Sequence, residues 1–365
     1  MIYYLLLLTI YIWPFGQLLS FPQSPFSFTI YLLDISLLFI LIALILSRQR
    51  KKIFSGSILK SLMIFFGIVI FSLLININRV SWSEIPSSVL YLLRIIIYPS
   101  LFFAVRYIGI ERLKKPLNIS LIIFCFLCIV QYILIPDMRF LKNIGFDDHY
   151  FRLIGPFFDP NFTGAVFAAA SLYFIGNNKI SYSLPFIGLL APTVSRASYL
   201  VFVAGLIYIL FHNKKIKLLI LIGVLGAIIL MIPKPFGEGI NLFRTFSIYS
   251  RLDSWRQGIS LFFDKPIFGW GYNTLRNNDG SRFQIDNSYI FLLATTGIAG
   301  LLSFSNLLKD LLKNIKNVGI KILIFSLLIH SLFNNSLFYI WILAVFWFMS
   351  AIGWKSPKEY KQLSK

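Results

Sequence analysis

The chain has 365 residues, of which 58% are hydrophobic and only 13% are charged. Because an average soluble domain has about 25% charged residues, this composition excludes an ordinary soluble enzyme and indicates a polytopic membrane protein. The net charge of +20 would suggest a nucleic-acid partner in a soluble chain. Here the basic residues form short clusters between long apolar runs, which is typical of cytoplasmic loops. We therefore expect no nucleic-acid partner.

A membrane-spanning helix needs about 20 predominantly apolar residues, and we interpret about twelve apolar segments as spans. The first begins at Met1 without a basic n-region or a small-residue cleavage site, so we expect a retained span rather than a signal peptide. The predicted spans are Met1–Leu19, Phe28–Leu46, Ile58–Ile75, Ile85–Val105, Pro116–Ile135, Asn161–Ile175, Ile180–Thr193, Ala197–Phe211, Leu218–Ile232, Asn287–Leu302, Ile322–Asn334 and Leu337–Trp354.

Lysine and arginine clusters alternate with weakly charged loops between these segments. The positive-inside rule then places both termini in the cytoplasm. The sequence predicts an all-α, polytopic membrane helix bundle of about 12 transmembrane helices, forming a single domain over residues 1–365. A large, partly helical loop at residues 233–286 is expected on the outer face. The loop that ends at Arg152 and the turn at Ser195-Arg196 are predicted to open on the same face.

The basic residues of the two faces differ in kind. The inner clusters after Arg112 are nearly all lysine, whereas the loop at 233–286 has more arginines than lysines. Arginine is suited to bidentate recognition of phosphate oxygens, and lysine to diffuse attraction by anionic headgroups. An arginine-rich outer face runs against the topogenic bias, which indicates a functional requirement for these arginines.

Four short polar stretches of the outer face follow one another in a distinctive order. They are R-x-x-G-x-x-x-D-P-N from Arg152 to Asn161, Ser195-Arg196 at the outer end of a helix, R-x-x-x-W with P-x-x-G-x-G from Arg251 to Gly271, and D-N-x-Y with G-x-x-G from Asp286 to Gly300. In type, order and spacing they resemble the O-antigen ligase and polymerase superfamily, known as the WaaL and Wzy types. The resemblance covers roughly residues 152–300.

The resemblance implies a glycosyltransferase of the bacterial inner (cytoplasmic) membrane whose active site faces the periplasm or the outside. Its implied donor and acceptor are undecaprenyl-diphosphate-linked glycans, with no metal and no cofactor. Membrane lipids, a chain-length regulator and a flippase are the other expected partners. The soluble alternative, a nucleotide-sugar donor, is disfavoured because the chain has neither an Asp-x-Asp signature nor a Gly-rich phosphate loop.

Asp286 stands where ligases of the superfamily have a histidine, and aspartate is more usual among the polymerase-like members. We therefore expect a Wzy-type polymerase of O-antigen, capsule or exopolysaccharide repeat units. The first alternative is an O-antigen ligase that transfers polymer to the lipid A core of lipopolysaccharide or to protein. The second is a lipid-linked oligosaccharide flippase, which would require charged residues along a central pathway.

The predicted chemistry requires cations, since displacing a lipid diphosphate develops negative charge on the leaving group. Arg152, Arg196 and Arg251 are matched to this role, with Arg196 and Arg251 expected to be catalytic. Arg196 has the alternative of a snorkelling interfacial residue. Arg152 and Arg251 have the alternative of solvated loop charges or of pairing with Asp148 or Asp253.

Asp286 is the expected catalytic carboxylate, because the attacking sugar hydroxyl needs a group that takes its proton. We expect the neighbouring arginines to lower its pKa and so to weaken it as a base. It would then either accept the proton or orient the hydroxyl. The alternative is a structural role, in which Asp286 caps the helix that begins at Asn287.

Further residues are assigned to binding of the diphosphate and the glycan. These are Arg152, Asn161, Arg256, Asn287, Tyr289 and His149. His149 is also an alternative base, or else a solvated loop histidine. His330 is a candidate because intramembrane ionisable groups are commonly functional; the alternative is a neutral imidazole bonded to a neighbouring helix.

Two further polar features lie within predicted spans. Arg94 should face the bundle interior, with a partner that the sequence does not identify. Cys125 and Cys128 are interpreted as small apolar fillers rather than as a redox or metal pair.

Overall fold

The structure is a computed structural model that describes residues 1–21, 28–213, 219–232, 241, 245–277 and 282–354. Over these residues the chain is all-helical, with isolated β-bridges and no strand. The predicted all-α class is confirmed. The helices are α1 (Ile2–Ile12), α2 (Leu32–Ile45), α3 (Arg50–Ile53), α4 (Ser57–Asn76), α5 (Ile85–Ile97), α6 (Ser100–Ile108), α7 (Lys114–Leu134), α8 (Pro160–Gly176), α9 (Ile180–Leu190), α10 (Arg196–Asn213), α11 (Leu219–Met231), α12 (Phe246–Asp264), α13 (Ser288–Asn314), α14 (Val318–His330) and α15 (Ile340–Gly353).

Each of the twelve predicted spans contains helix. Five helical segments are long and apolar enough to cross a membrane, and six shorter apolar helices accompany them in the part of the chain that is described. The chain is therefore a multi-pass membrane protein, whereas the count of twelve crossings stays a prediction. The five long segments are Ile2–Leu19, Ser57–Arg79, Ile85–Ile108, Lys114–Leu134 and Ser288–Asn314.

Parts of the predicted loops fall outside the described residues. These parts are residues 22–27, 214–218, 233–240, 242–244, 278–281 and 355–365. They include the basic cluster at 214–217, the basic tail after Trp354 and portions of the predicted outer loop at 233–286. Within that outer loop, α12 supplies the predicted helical part.

Helix α8 occupies the middle of the bundle, where it packs against α9, α10 and α14. Most of its residues are buried, and many are glycine or alanine. Small residues allow neighbouring backbones to approach closely in a membrane bundle. At Gly164, a Cβ atom would lie 2.6 Å from the Ser198 hydroxyl of α10. This close contact brings the starts of α8 and α10 together.

Helix ends contact one another at both ends of the bundle. Asn317, before α14, donates to Asn177, after α8, over 3.1 Å. At the opposite end of the bundle, Ser195, before α10, donates to Asn161 of α8 over 3.0 Å. Alternating helix directions thus gather the four motif stretches at one end.

Arg94 finds its partner in α2. Its guanidinium forms a buried ion pair with Asp34, with 2.7 Å between Nη2 and Oδ2, and also donates to the Thr29 carbonyl over 2.6 Å. The Tyr98 hydroxyl donates to the same carboxylate over 2.8 Å. Because removing one partner of a buried pair leaves an uncompensated charge, this cluster fixes α5 and α6 against α2.

The predicted span at Asn287–Leu302 is longer than expected and broken in the middle. Helix α13 runs to Asn314, and at Gly297 its backbone turns to φ 67° and ψ −167°. The loop at 266–271 occupies this break. Its backbone exchanges hydrogen bonds with both sides: the Trp270 amide donates to the Ala294 carbonyl over 3.0 Å, and the Ile298 amide donates to the Pro266 carbonyl over 2.8 Å.

Two residues of α4 complete this arrangement. The Ser72 hydroxyl donates to the carbonyls of Phe268 and Thr295, over 2.6 and 2.8 Å. The Asn76 amide donates to the Gly269 carbonyl over 3.1 Å. The P-x-x-G-x-G and G-x-x-G stretches therefore form one interlocked unit, in which the loop satisfies backbone groups that the helix break would otherwise leave open.

Candidate functional site

The first motif stretch supports a turn before α10. Arg152 is only 6% exposed, so the predicted alternative of a solvated loop charge is wrong. Its Nε and Nη2 donate to the carbonyls of Thr193 and Val194, over 3.0 and 3.3 Å. Val194 adopts φ 50°, a left-handed conformation that is unfavourable for a β-branched residue. Arg152 thus stabilises the strained turn that presents Ser195-Arg196, and its direct contact with a diphosphate stays a prediction.

Serines and an asparagine connect this turn to α8. The Ser195 hydroxyl lies 3.0 Å from the Asn161 side-chain oxygen and 2.9 Å from the Ser198 hydroxyl. Ser198 in turn donates to the Asn161 carbonyl over 3.2 Å. Asn161, predicted to bind substrate, therefore anchors the turn through its described contacts.

Arg196 and Arg251 come from different helices and lie close enough for their charges to repel. Arg196, at the start of α10, donates to the Ser247 hydroxyl over 2.5 Å. Arg251, in α12, donates to the Asn334 side-chain oxygen over 3.3 Å. Both arginines are partly exposed. Two neighbouring arginines in a mostly apolar membrane protein are suited to bind a ligand that has two negative charges.

The pairing of Arg251 with Asp253 is not observed, because the Asp253 carboxylate instead accepts from Gln257 over 3.0 Å. Two adjacent residues of α12 have different environments. Arg256 is exposed, whereas Trp255 donates through Nε1 to the Asp286 carbonyl over 3.0 Å. Helix α12 thus holds Arg251 and the backbone of Asp286 in one rigid unit.

Asp286 does not cap α13, so that alternative is wrong. The N-cap is Asn287, whose side-chain oxygen accepts from the amides of Tyr289 and Ile290 over 2.9 and 3.0 Å. The Asn287 amide group also donates to the Leu332 carbonyl over 2.8 Å. Among the described residues, none forms a hydrogen bond with the Asp286 carboxylate, although its backbone is held. Its side chain is therefore available to a ligand.

The expectation that arginines lower the pKa of Asp286 is also wrong. Burial raises the pKa of this carboxyl above its ordinary value; Arg251 opposes the rise and Asp147 adds to it. Desolvation outweighs the favourable cation because the carboxylate lacks hydrogen-bond donors among the described residues. A raised pKa makes Asp286 a better proton acceptor than the sequence suggested.

Asp159, the N-cap of α8, is a second carboxyl with a shifted pKa. Its Oδ1 accepts from the amides of Asn161 and Phe162 over 2.6 and 3.3 Å. Burial nevertheless raises its pKa to about 6. From the sequence, Asp159 is identified only as part of the first motif stretch. Its position before a helix predicts an N-cap, but it does not predict the burial that raises its pKa.

The remaining predicted residues are spread around this centre. His149 is 8% exposed, so it is not the solvated histidine that was the alternative, and its carbonyl accepts from the Met138 amide over 2.8 Å. Tyr289 is partly buried and donates to the Leu328 carbonyl over 2.9 Å. Their roles in substrate binding stay predictions.

His330 joins the site through hydrogen bonds whose partners were not predicted, one of them in the neighbouring helix α10. Its Nδ1 lies 2.6 Å from the Ser336 hydroxyl, and its Nε2 lies 3.3 Å from the Ser198 hydroxyl and 3.4 Å from the Asn334 amide nitrogen. Asn334 also accepts from Arg251. The only sequence signal for Asn334 was its closeness to His330 along the chain.

Two other features do not belong to this centre. A cavity of about 1350 Å³ lies between α1, α7, α8, α9 and α15, and none of the candidate residues lines it. In the described part of the chain, no three His, Cys, Asp or Glu side chains are grouped as metal ligands. Cys128 is a packing residue as predicted, since a Cβ atom on Gly155 would lie 2.4 Å from its Sγ.

The fold and the cationic centre define a multi-pass helical membrane protein with a candidate anion site at one end of its bundle. Residues 182–305 match the family described as O-antigen ligase, Wzy_C. The match runs from α9 to residue 305 within α13 and contains Arg196, Arg251 and Asp286. This match supports the resemblance to the O-antigen ligase/polymerase superfamily and leaves the ligase and polymerase types unresolved. No curated protein matches the chain.

Proposed function

We propose that the protein is a membrane glycosyltransferase that polymerises lipid-diphosphate-linked oligosaccharide repeat units at the outer leaflet. The observation that carries the proposal is the convergence of Arg196, Arg251 and the carboxylate of Asp286, within a segment that matches the family model. The donor and acceptor would be glycans on undecaprenyl diphosphate, and the product an O-antigen, capsule or exopolysaccharide.

The arginines and the carboxylate divide the reaction between them. When the anomeric carbon–oxygen bond breaks, its electron pair passes to the diphosphate, which gains negative charge beside Arg196 and Arg251. The sugar hydroxyl of the acceptor attacks the anomeric carbon and gives its proton to Asp286. Binding is strengthened in the transition state because the charge on the leaving group increases there. These steps require no metal ion.

An O-antigen ligase is the second candidate, favoured by the description of the matching family. It would use the same donor and the same cations, with lipid A core or protein as the acceptor. Asp286 in place of the ligase histidine supports the polymerase. In cells, loss of all long-chain polymer in a deletion strain supports the polymerase, whereas polymer left on its lipid carrier supports the ligase.

The direct test is product formation by purified protein in detergent with lipid-diphosphate-linked repeat units, with EDTA present and no ion gradient. We expect a ladder of longer lipid-linked glycans, which a flippase would not produce. Asp286→Ala should remove the ladder while the protein stays monodisperse. A full ladder with folded Asp286→Ala protein would contradict the assignment of this site, and absence of any product with the parent protein would contradict polymerisation.

The pH dependence of this reaction is a separate prediction. With Asp286 as the base, activity should rise with pH through a pKa that lies above the ordinary aspartate value of about 3.9. Asp147 adds to the rise in the pKa of Asp286, so Asp147→Asn should move the acid limb of the kcat profile to lower pH. The profile is measured from initial rates of glycan extension. An unmoved limb would contradict the role of Asp286.

Asp159 has to be distinguished from Asp286 in that profile, because Asp147 also raises its pKa. Asn is an equally good N-cap, so Asp159→Asn should preserve α8 and leave the acid limb in place. If this variant loses the limb, Asp159 is the titrating group instead.

A further inference from the structure

We propose that His330, as a neutral imidazole protonated on Nδ1, positions Arg251 through the side-chain amide of Asn334. The proposal rests on the proposed function only for what Arg251 does. It makes His330 and Asn334 positioning residues for the cation that faces the diphosphate. Neither residue lies in the four motif stretches, and Asn334 was not among the predicted site residues.

The direction of the hydrogen bonds follows from the chemistry of arginine. A guanidinium only donates hydrogen bonds, so the Asn334 atom 3.3 Å from Arg251 must be its side-chain oxygen. The amide nitrogen of Asn334 is then the group that lies 3.4 Å from His330 Nε2. An amide nitrogen also only donates. A hydrogen bond between Asn334 and His330 therefore requires Nε2 as the acceptor, which places the ring proton on Nδ1 in the proposed network.

The hydroxyls around His330 permit this tautomer. Nδ1 lies 2.6 Å from the Ser336 hydroxyl, which accepts the Nδ1 proton in the proposed network. His330 and Ser336 are both fully buried. A hydroxyl both donates and accepts, so the two serines bond to either tautomer, and the contact with Asn334 selects protonation of Nδ1 in the proposed network. With that tautomer, the buried ring fixes the orientation of Asn334.

The same ring also contacts the turn that carries the other arginine. Its Nε2 lies 3.3 Å from the Ser198 hydroxyl, and Ser198 bonds to Ser195, which precedes Arg196. One buried network of polar contacts therefore reaches both cations. The distance between Arg196 and Arg251 is set by this network, and the two phosphate groups of a lipid diphosphate are the ligand that such a fixed pair of cations suits.

The functional test is a double-mutant cycle between Asn334 and Arg251, with kcat for glycan extension as the measurement. Loss of a hydrogen bond to a charged group predicts that Asn334→Ala lowers kcat about 10- to 100-fold. In the Arg251→Ala background the same change should lower kcat by no more than about 2-fold, since a residue that acts through Arg251 has nothing left to position. Equal losses in the two backgrounds would show a merely structural role and overturn the proposal. Asn306→Ala is the matched control, because that asparagine bonds to Ser61 at the opposite end of the bundle.

The tautomer is tested in the parent protein and without any catalytic assay. The chain has three histidines, so ¹⁵N-histidine labelling of the full-length protein gives few ring signals, and His330→Gln identifies those of His330. We expect a protonated Nδ1 and an unprotonated Nε2. A protonated Nε2 overturns the proposal even if the protein polymerises glycans. If the expected tautomer is found in a protein with no polymerase activity, the proposed function fails and the assigned tautomer stands.

Discussion

Arg251→Ala is expected to lower kcat for glycan extension by about 100-fold or more, as removal of one preorganised donor to a developing anion does in other enzymes. Arg251 is partly exposed, and it donates to the Asn334 side-chain oxygen over 3.3 Å. Its positive charge also acts on Asp286, where it opposes the rise in pKa that burial causes. The negative charge on the diphosphate increases as the glycosidic bond breaks. The variant should therefore lose more in kcat than in KM for the donor.

Two further variants make this result specific. Arg251→Lys keeps the charge but removes the planar fork of donors, so it should retain only part of the activity. Arg139→Ala is the charge-matched control, because Arg139 is exposed and pairs with Asp137 over 2.6 Å. It should leave kcat within about 2-fold of the parent, as surface substitutions away from such sites do. Equal losses in Arg139→Ala and Arg251→Ala would indicate a general effect of surface charge and contradict the assigned site.

The gathering of the motif stretches at one end of the bundle could be predicted from the sequence. Alternating basic clusters fixed the relative direction of the helices, and this placed Arg196 and Asp286 together before any contact was known. The individual roles could not be predicted in the same way. Arg152 and Arg251 are both loop or surface arginines in the sequence, yet Arg152 is 6% exposed and supports a turn.

The same limit applies to the carboxylates. Asp286 and Asn287 are adjacent, and both residue types are good N-caps, so local preference cannot decide which one begins α13. Packing decides it: Asn287 also donates to the Leu332 carbonyl, and Ser288 donates to the Ser331 carbonyl over 2.9 Å. The sign of the pKa shift of Asp286 was likewise beyond the sequence. It depends on how far burial outweighs the charge of Arg251, and burial is a property of the assembled bundle.

Glycines of the P-x-x-G-x-G and G-x-x-G stretches were interpretable from sequence only as turn signals. Their structural role depends on a contact between the loop at 266–271 and the break in α13. A Cβ atom on Gly269 would lie 2.4 Å from the Thr295 carbonyl carbon, and one on Gly297 would lie 2.2 Å from the Ile267 carbonyl oxygen. Both obstacles are backbone atoms, which cannot move aside as a flexible side chain would. Gly269 is therefore required because α13 lies against it, and Gly297 is required because the loop at 266–271 lies against it.

Gly297→Ala is accordingly expected to destabilise the protein by about 3–5 kcal/mol, because it combines a left-handed backbone conformation with a backbone clash. The φ of 67° at Gly297 is unfavourable for alanine even without the contact. Displacing the loop at 266–271 would also move α12, which directly precedes it. Trp255 of α12 would then no longer hold the Asp286 carbonyl in place. Stability and activity should therefore fall together.

The measurement is thermal unfolding in detergent, with the monodisperse fraction on size exclusion as a second readout. The control is Gly67→Ala in α4, where no atom lies within 4 Å of the added Cβ. Alanine in an ordinary helical position is more favourable than glycine by about 0.5–1 kcal/mol, so this variant should be as stable as the parent or more so. A Gly297→Ala protein with unchanged thermal stability would show that the loop and the break in α13 are not interlocked. In that case Asp286 would be held only by the hydrogen bonds of its backbone to α12, in which Trp255 donates to its carbonyl and the Ser254 hydroxyl accepts from its amide, among the contacts described.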